Sequence, residues 1–124
     1  PASSYNAAKK MLLDTLGCAA AGINAPGINE LICLERELSA PGKSSVLFTG
    51  DKLPIPQAAY CNSALVHAMD YDNNYPGADI HILSIVIPAA LACAQILRGA
   101  AGRCASEGAG AGREARPVGR RAHR

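Results

Sequence analysis

Residues 57–97 constrain this chain most, because two apolar stretches with helical spacing flank a turn that is rich in polar groups. The turn holds two of the chain's three histidines and three of its ten acidic residues. Its polar residues are His67, Asp70, Asp72, Asn73, Asn74, Asp79 and His81. A connection between two buried helices needs few such groups, so this turn is the candidate site for proton transfer or ion binding.

The composition and the positions of Pro and Gly indicate one helical domain. The 124 residues are 49% apolar but only 4% aromatic and include no Trp, so the core must be built from small and aliphatic side chains. The apolar spacing, with Pro and Gly between the apolar stretches, predicts four helices near 4–22, 28–39, 56–69 and 85–97. A weak β-hairpin is expected near 45–55. The expected fold class is therefore all-α, that is, mainly helical.

Local signals suggest where these elements begin and end. Ser3 or Ser4 is the expected N-cap of the first helix, and Gly22 fits its C-terminal stop. Pro54 lacks a backbone donor, so the hairpin should be marginal or lie at an edge. Pro88 is expected near the start of the fourth helix.

The composition changes abruptly after Leu97. Residues 1–97 hold five basic and eight acidic residues, a formal charge of −3, whereas residues 98–124 hold seven Arg and two Glu, a charge of +5. This Arg/Ala/Gly-rich tail has no Leu, Ile or Phe, so we expect it to be disordered. A shifted reading frame in GC-rich DNA is the explanation that the change favours. A basic arm for nucleic acid is less favoured, since the tail has no aromatic interleaving.

Cysteine usage and the N-terminus indicate a cytoplasmic protein. The cysteines are odd in number and widely spaced, without a C-x-x-C pair, which favours buried free thiols over a disulfide framework. They are Cys18, Cys33, Cys61, Cys93 and Cys104. The N-terminus lacks a charged-then-apolar signal pattern, and no apolar run reaches the roughly 18 residues of a membrane span. We therefore expect no membrane partner.

Calcium binding is the first chemistry to weigh for the polar turn. Asp70, Asp72 and Asn74 match the opening of an EF-hand loop. The sixth position is then Tyr75 where Gly is needed, and the twelfth is His81 where a bidentate Glu is needed. The pattern therefore argues against calcium.

Three other interpretations concern His67, Asp70, Asp72 and His81. As transition-metal ligands they lack the H-x-x-x-H or H-E-x-x-H spacing, so the sequence predicts no metal. As acid–base groups, a carboxylate and an imidazole at the mouth of a helical cleft can shuttle a proton. As structural groups, Asp70 caps a helix end and His67 is a satisfied core histidine. Spacing alone does not separate acid–base chemistry from the structural interpretation.

Several strings in this region and before it resemble the MmgE/PrpD family. The strings are Asn62, then HAMDYD at 67–72, PGA at 76–78, His81 and VIPAALA at 86–92. That family includes 2-methylcitrate dehydratase, cis-aconitate decarboxylase and iminodisuccinate epimerase. The rest of residues 5–97 is similar to it as well, so the resemblance covers about three quarters of this chain but only the first part of a family member.

The resemblance implies part of a larger architecture. Family members combine a large helical domain with a smaller α/β domain, and their active site lies in the cleft between the two. Residues 1–97 would be the N-terminal part of the large helical domain. The resemblance also implies a homodimer without metal or organic cofactor, and substrates that are small di- and tricarboxylates.

The resemblance assigns roles to three residues. Asp70 would be an active-site carboxylate, and His81 would transfer a proton or bind a substrate carboxylate. Asn74 stands where the family usually has a Thr that contacts substrate. Asn73 replaces the second Asp of the family's pair, and Ile82 stands where the family usually has Pro. These departures bear on the choice of substrate.

The function implied is that of an N-terminal fragment of a lyase or isomerase. Proton removal next to a carboxylate needs a base and a group that stabilises the growing enolate charge. In the family, further basic side chains come from later in the chain, so we expect this fragment to be inactive alone. The alternative is a non-catalytic helical interaction module whose basic tail binds an anionic partner. Steep salt dependence of binding would mark that alternative.

Overall fold

The fold is described by a computed structural model that covers the backbone of residues 1–111 and the side chains of residues 1–99. The predicted mainly helical fold with a short hairpin is confirmed. The elements in chain order are α1 (Ala2–Gly22), α2 (Ile28–Leu38), β1 (Ser44–Ser45), β2 (Lys52–Leu53), α3 (Ile55–His67) and α4 (Ile82–Ala111).

α1 ends at Gly22 as predicted, but neither of its ends is formed in the way that the sequence suggested. Pro1 occupies the N-cap position, and neither Ser3 nor Ser4 caps the helix with its side chain. The residue after Gly22 keeps right-handed angles (φ −59°, ψ −30°), so this glycine is not a left-handed stop. A Cβ at Gly22 would lie 2.1 Å from the carbonyl oxygen of Leu65. Glycine is therefore required at this position because α1 packs directly against the backbone of α3.

The core is organised around α3, which contacts all three other helices. Its small and aliphatic residues are buried, and they let the neighbouring helices approach closely. The buried apolar residues are Cys18, Ala19, Ile28, Ile32, Val46, Leu53, Ala58, Cys61, Leu65, Val66 and Ala92. The composition argument for a core of small and aliphatic side chains therefore holds.

A buried amide on α3 fixes the hairpin. β1 and β2 are antiparallel and only two residues long each, with Ser45 opposite Lys52. The Asn62 side chain is buried, and its Oδ1 accepts a hydrogen bond of 2.7 Å from the Leu47 backbone N–H. Its Nδ2 donates at 2.9 Å to the Ser45 carbonyl. Because an isolated two-stranded hairpin is marginal in water, these two bonds determine where the hairpin lies.

The fourth helix is longer than predicted at both ends. It begins at Ile82 rather than near residue 85, and buried Pro88 lies inside it instead of near its start. The backbone stays helical to Ala111, although the sequence indicated an end near Leu97 and a disordered tail from residue 98. Among residues 98–111, five Ala, two Arg and one Glu favour a helix whereas four Gly oppose it, so propensity alone does not decide where α4 ends. Residues 112–124, where the tail and frameshift predictions also fall, lie outside the described residues.

The first part of α4 is more apolar than the sequence reading allowed. Among the described residues, one stretch, Ile82–Gly99, is long and apolar enough to cross a membrane by length and composition. In the structure α4 packs against α3, and Ser44 and Ser45 of β1 form hydrogen bonds with the Ala92 carbonyl and the Gln95 side chain. One side of this stretch thus packs against α3, but only 17% of the stretch is buried and most of its apolar residues are exposed.

The cysteines divide into two classes. Cys18 and Cys61 are buried, whereas Cys33 and Cys93 are exposed, which corrects the expectation that all are buried. The four are free thiols. Burial is the largest cause that raises the pKa of Cys61, to about 11, so this thiol stays protonated at neutral pH. Cys104 lies beyond the described side chains.

The Asn62 anchor generates a stability prediction. Asn62→Ala should lower the free energy of unfolding by about 1–3 kcal/mol, because it leaves a backbone N–H and a carbonyl of the hairpin without partners. Urea unfolding followed by circular dichroism measures the change. Asn73→Ala, at an exposed loop position, is the matched control and should shift stability by less than about 0.5 kcal/mol. Equal effects for the two variants would contradict the anchoring role.

Candidate acid–base site

The polar turn begins with a left-handed residue. α3 ends at His67, and Asp70 adopts φ 55° while its backbone N–H donates to the His67 carbonyl at 2.9 Å. Asp tolerates the left-handed region better than most residues, which explains why it can reverse the chain here. The Asp70 backbone thus ends the helix, and its side chain is 78% exposed to solvent.

The next carboxylate, Asp72, is buried between two imidazole rings. Its side chain is 1% exposed, with Oδ1 2.9 Å from His67 Nδ1 and Oδ2 3.2 Å from His81 Nδ1. The rings meet edge to face with centroids 4.8 Å apart. One buried carboxylate therefore connects the end of α3 with the residue that precedes α4.

Opposing effects determine the pKa of Asp72. Burial is the largest one and raises the pKa, but contacts with the side chains of His67 and Ser84 outweigh it. The pKa of this carboxyl therefore lies below its usual value, and Asp72 carries a negative charge at neutral pH. A buried charge of this kind needs partners that donate hydrogen bonds or carry positive charge.

The contacts of His81 assign its two ring nitrogens. Nδ1 lies 3.2 Å from the Asp72 carbonyl oxygen and 3.2 Å from Asp72 Oδ2, both of which are acceptors. We therefore assign the proton of the neutral ring to Nδ1. Nε2 then carries the lone pair, 3.7 Å from Asp70 Oδ1. His81 thus presents a base next to an exposed carboxylate, a pair that can accept and return a proton.

Of the three predicted site residues, the structure brings two together. Asp70 and His81 belong to one cluster, whereas Asn74 lines a small pocket formed by the loop residues 74–79. The Asn74 side-chain amide donates to Asp79 Oδ1 at 3.0 Å, and a backbone bridge between Tyr75 and Ile80 closes this part of the loop. Contact of Asn74 with substrate stays a prediction.

Sequence reasoning missed the role of Asp72 and misjudged the setting of His67. The His67 side chain is 54% exposed, so it is not a core histidine, and its partner is Asp72. Asp72 had been considered as a metal ligand but not as the group that orients both rings. The available signal was an Asp with a His five residues before it and another nine residues after it.

A groove runs beside the two histidines between α3 and α4. It encloses about 410 Å³, and its lining includes His67, His81, Tyr60 and Ser84. A second groove of about 420 Å³ between α1 and α4 is lined by apolar side chains such as Met11, which cannot move a proton. The chemistry therefore belongs to the first groove. Among the described residues, its lining includes neither Lys nor Arg.

The fold and the site together define a mainly helical domain with an imidazole–carboxylate pair beside an open groove. The family model of the MmgE/PrpD N-terminal domain matches residues 1–117. The chain therefore belongs to the MmgE/PrpD family.

Two curated relatives have related names. The chain is 32% identical over 97 residues to a cis-aconitate decarboxylase of Aspergillus terreus, which covers 78% of this chain and 20% of that protein. It is 26% identical over 96 residues to the cis-aconitate decarboxylase-like protein oryM of Aspergillus oryzae, which covers 77% of this chain and 20% of the relative. The chain thus spans about a fifth of the length of these relatives. No solved structure matches it.

The lowered pKa of Asp72 makes the stability of the turn depend on pH. The folded state favours the charged carboxylate, so its contribution is present above the ordinary pKa of about 4 and is lost as the pH falls through the lower folded pKa. Asp72→Asn should lower the free energy of unfolding by about 1–3 kcal/mol at pH 7, and by less as the pH falls below about 4.

Urea unfolding at several pH values measures this difference. Asp79→Asn, an exposed carboxylate in the same loop, should cost little at any pH. A cost of Asp72→Asn that stayed constant from pH 7 to acid would show that the charge of Asp72 is not what stabilises the turn.

Proposed function

We propose that this chain supplies the N-terminal acid–base part of an MmgE/PrpD-type lyase or isomerase for small di- or tricarboxylates. Decarboxylation of cis-aconitate is the reaction that the names of the curated relatives favour, and dehydration of 2-methylcitrate is the second candidate in the family. The observation that carries the proposal is the pairing of Asp70 with His81 beside an open groove.

Asp72 supports this role by holding the imidazole of His81. A general base must present its lone pair to the proton on the reacting carbon, and the contacts on Nδ1 leave Nε2 free to do so. His81 in its protonated form can return the proton or bind a substrate carboxylate. Decarboxylation replaces a carbon–carboxylate bond with a carbon–hydrogen bond, so it also needs a group that delivers one proton.

The negative charge near the site supports a role for other parts of the enzyme in supplying positive charge. Asp79 lines the groove, and Asp70 and Asp72 lie next to the two histidines that line it. A tricarboxylate would therefore meet negative charge there. In the described part of the chain, the lining of this groove includes no Lys or Arg to offset that charge. The proposal therefore includes cationic groups from beyond this region, and a homodimer in the cytoplasm as the working form.

The need for cationic groups from beyond this region predicts that the 124-residue chain is inactive alone. Incubated with cis-aconitate, 2-methylcitrate or iminodisuccinate, it should give no turnover above the uncatalysed rate, because the binding energy for the substrate carboxylates is missing. Product formation is followed by nuclear magnetic resonance. Turnover by the chain alone would contradict the need for further cationic groups.

A chimera tests the catalytic assignment. Residues 1–97 replace the matching N-terminal part of the Aspergillus terreus cis-aconitate decarboxylase, and carbon dioxide release is measured. In this chimera Asp70→Asn and His81→Ala should each reduce kcat by roughly 10²–10⁴-fold, the range for loss of an acid–base group. His67→Ala should affect thermal stability more than kcat, since His67 acts through Asp72.

Glu30→Gln is the matched control, since it removes a carboxylate on the exposed face of α2. It should leave both kcat and the melting temperature near those of the chimera. If Asp70→Asn and His81→Ala melted early yet kept near-normal kcat when folded, the two residues would be structural and the catalytic assignment would be wrong.

A further inference from the structure

Four side chains of the turn form a set that chemistry other than proton transfer can use. One ligand atom from each of His67, Asp70, Asp72 and His81 lies within 4.8 Å of all the others. The sequence argued against a metal here because the spacing matches no zinc motif. The fold nevertheless brings the residues together from the end of α3, the loop and the residue before α4.

The buried carboxylate is the independent sign of a ligand. The Asp72 side chain is 99% buried, and its Oδ2 accepts no hydrogen bond in the described part of the chain. His81 Nδ1 lies 3.2 Å from this oxygen, but its hydrogen bond goes to the Asp72 carbonyl oxygen instead. A negatively charged, buried oxygen thus faces the His81 ring without a well-formed hydrogen bond of its own, which is an environment suited to a cation.

The four ligand atoms, all within 4.8 Å of one another, need only small side-chain adjustments to reach the separations of a metal centre. Zinc-class ions bind imidazole nitrogen and carboxylate oxygen at about 2.0–2.2 Å, which places tetrahedral ligand atoms about 3.4 Å apart. The Nδ1 atoms of His67 and His81 already lie 2.9 and 3.2 Å from the two oxygens of Asp72. Asp70 is 78% exposed, so its side chain is free to rotate into the fourth position.

We propose that His67, Asp70, Asp72 and His81 bind one divalent transition-metal ion of the zinc class. Two imidazole nitrogens with carboxylate oxygens suit Zn²⁺, Co²⁺ or Ni²⁺, whereas Mg²⁺ and Ca²⁺ prefer oxygen ligands only. A metal ion on His81 Nδ1 replaces the proton there, so the ring keeps its proton on Nε2 and can no longer act as a base, and the same ion engages the Asp70 carboxylate. The inhibition rests on the proposed function, but the binding does not.

Cobalt titration of the full 124-residue chain tests the binding. One equivalent of Co²⁺ should give the visible d–d bands of a four-coordinate nitrogen and oxygen site, without the near-ultraviolet band of cobalt thiolate. Calorimetry with Zn²⁺ should give a stoichiometry of one, and Mg²⁺ should give no heat of binding. A thiolate band, or no visible bands at one equivalent of Co²⁺, would overturn the site.

Variants identify the ligands. His67→Ala and Asp72→Asn should each weaken Zn²⁺ and Co²⁺ binding by more than the roughly 10–100-fold effect expected for a group outside the ligand shell. Asp79→Asn, a nearby carboxylate outside the cluster, should keep the affinity of the unmodified chain. Because His67 is half exposed, His67→Ala should fold even where Asp72→Asn does not. Affinities unchanged by His67→Ala in a folded chain would overturn the proposal.

The chimera separates this inference from the proposed function. If the chimera is active, Zn²⁺ should inhibit it and a chelator should restore its turnover. Full activity of a chimera saturated with Zn²⁺ would overturn the inhibition. A chimera that is inactive with or without chelator would count against the proposed function alone, since the cobalt spectra of the 124-residue chain decide the metal site by themselves.

Discussion

A carboxylate buried between two imidazole rings holds the corner between α3 and α4. Asp72 is nearly inaccessible and charged, and it contacts His67 at the end of one helix and His81 before the start of the next. Because a buried charge is costly without partners, contacts with the two rings and with the Ser84 side chain stabilise it. The exposed loop between these helices is otherwise closed by the bridge between Tyr75 and Ile80. The position of the candidate base therefore follows from electrostatics more than from apolar packing.

The same logic operates further back along α3. Asn62 is buried in the core, and its amide satisfies two backbone groups of the hairpin, just as His67 contacts the buried carboxylate of the loop. Between these residues, α3 buries Leu65 and Val66 against its neighbours. One helix thus fixes two irregular segments through polar side chains while its apolar face builds the core. Such paired polar contacts specify a unique arrangement, because leaving either partner unmatched is costly.

The sequence predicted what depends on local pattern. Apolar periodicity and Pro/Gly punctuation predicted four helices and the hairpin, and the polar turn was recognised as the site because its composition is unusual for a connection. The burial of Asp72 could not be predicted, since it depends on how α3 and α4 meet, which is a tertiary matter. Gly22 looked like a helix stop, but its requirement comes from contact with Leu65 on another helix. Helical backbone to Ala111 was not predicted, because the sequence argument had considered only whether the segment could bury a face.

Negative charge is the constraint that connects the two chemistries of this site. Asp70, Asp72 and Asp79 lie at or beside the groove, and in the described part of the chain its lining offers no Lys or Arg. A substrate with two or three carboxylates can bind only if positive charge is supplied, and in the longer relatives four fifths of the sequence has no counterpart here to supply it. A bound divalent cation would neutralise the same negative charge, and it would do so by binding the groups that proton transfer needs. Substrate and metal therefore compete for this site. Cationic side chains from elsewhere in the enzyme would favour substrate and leave His81 without metal, whereas their absence would favour metal binding.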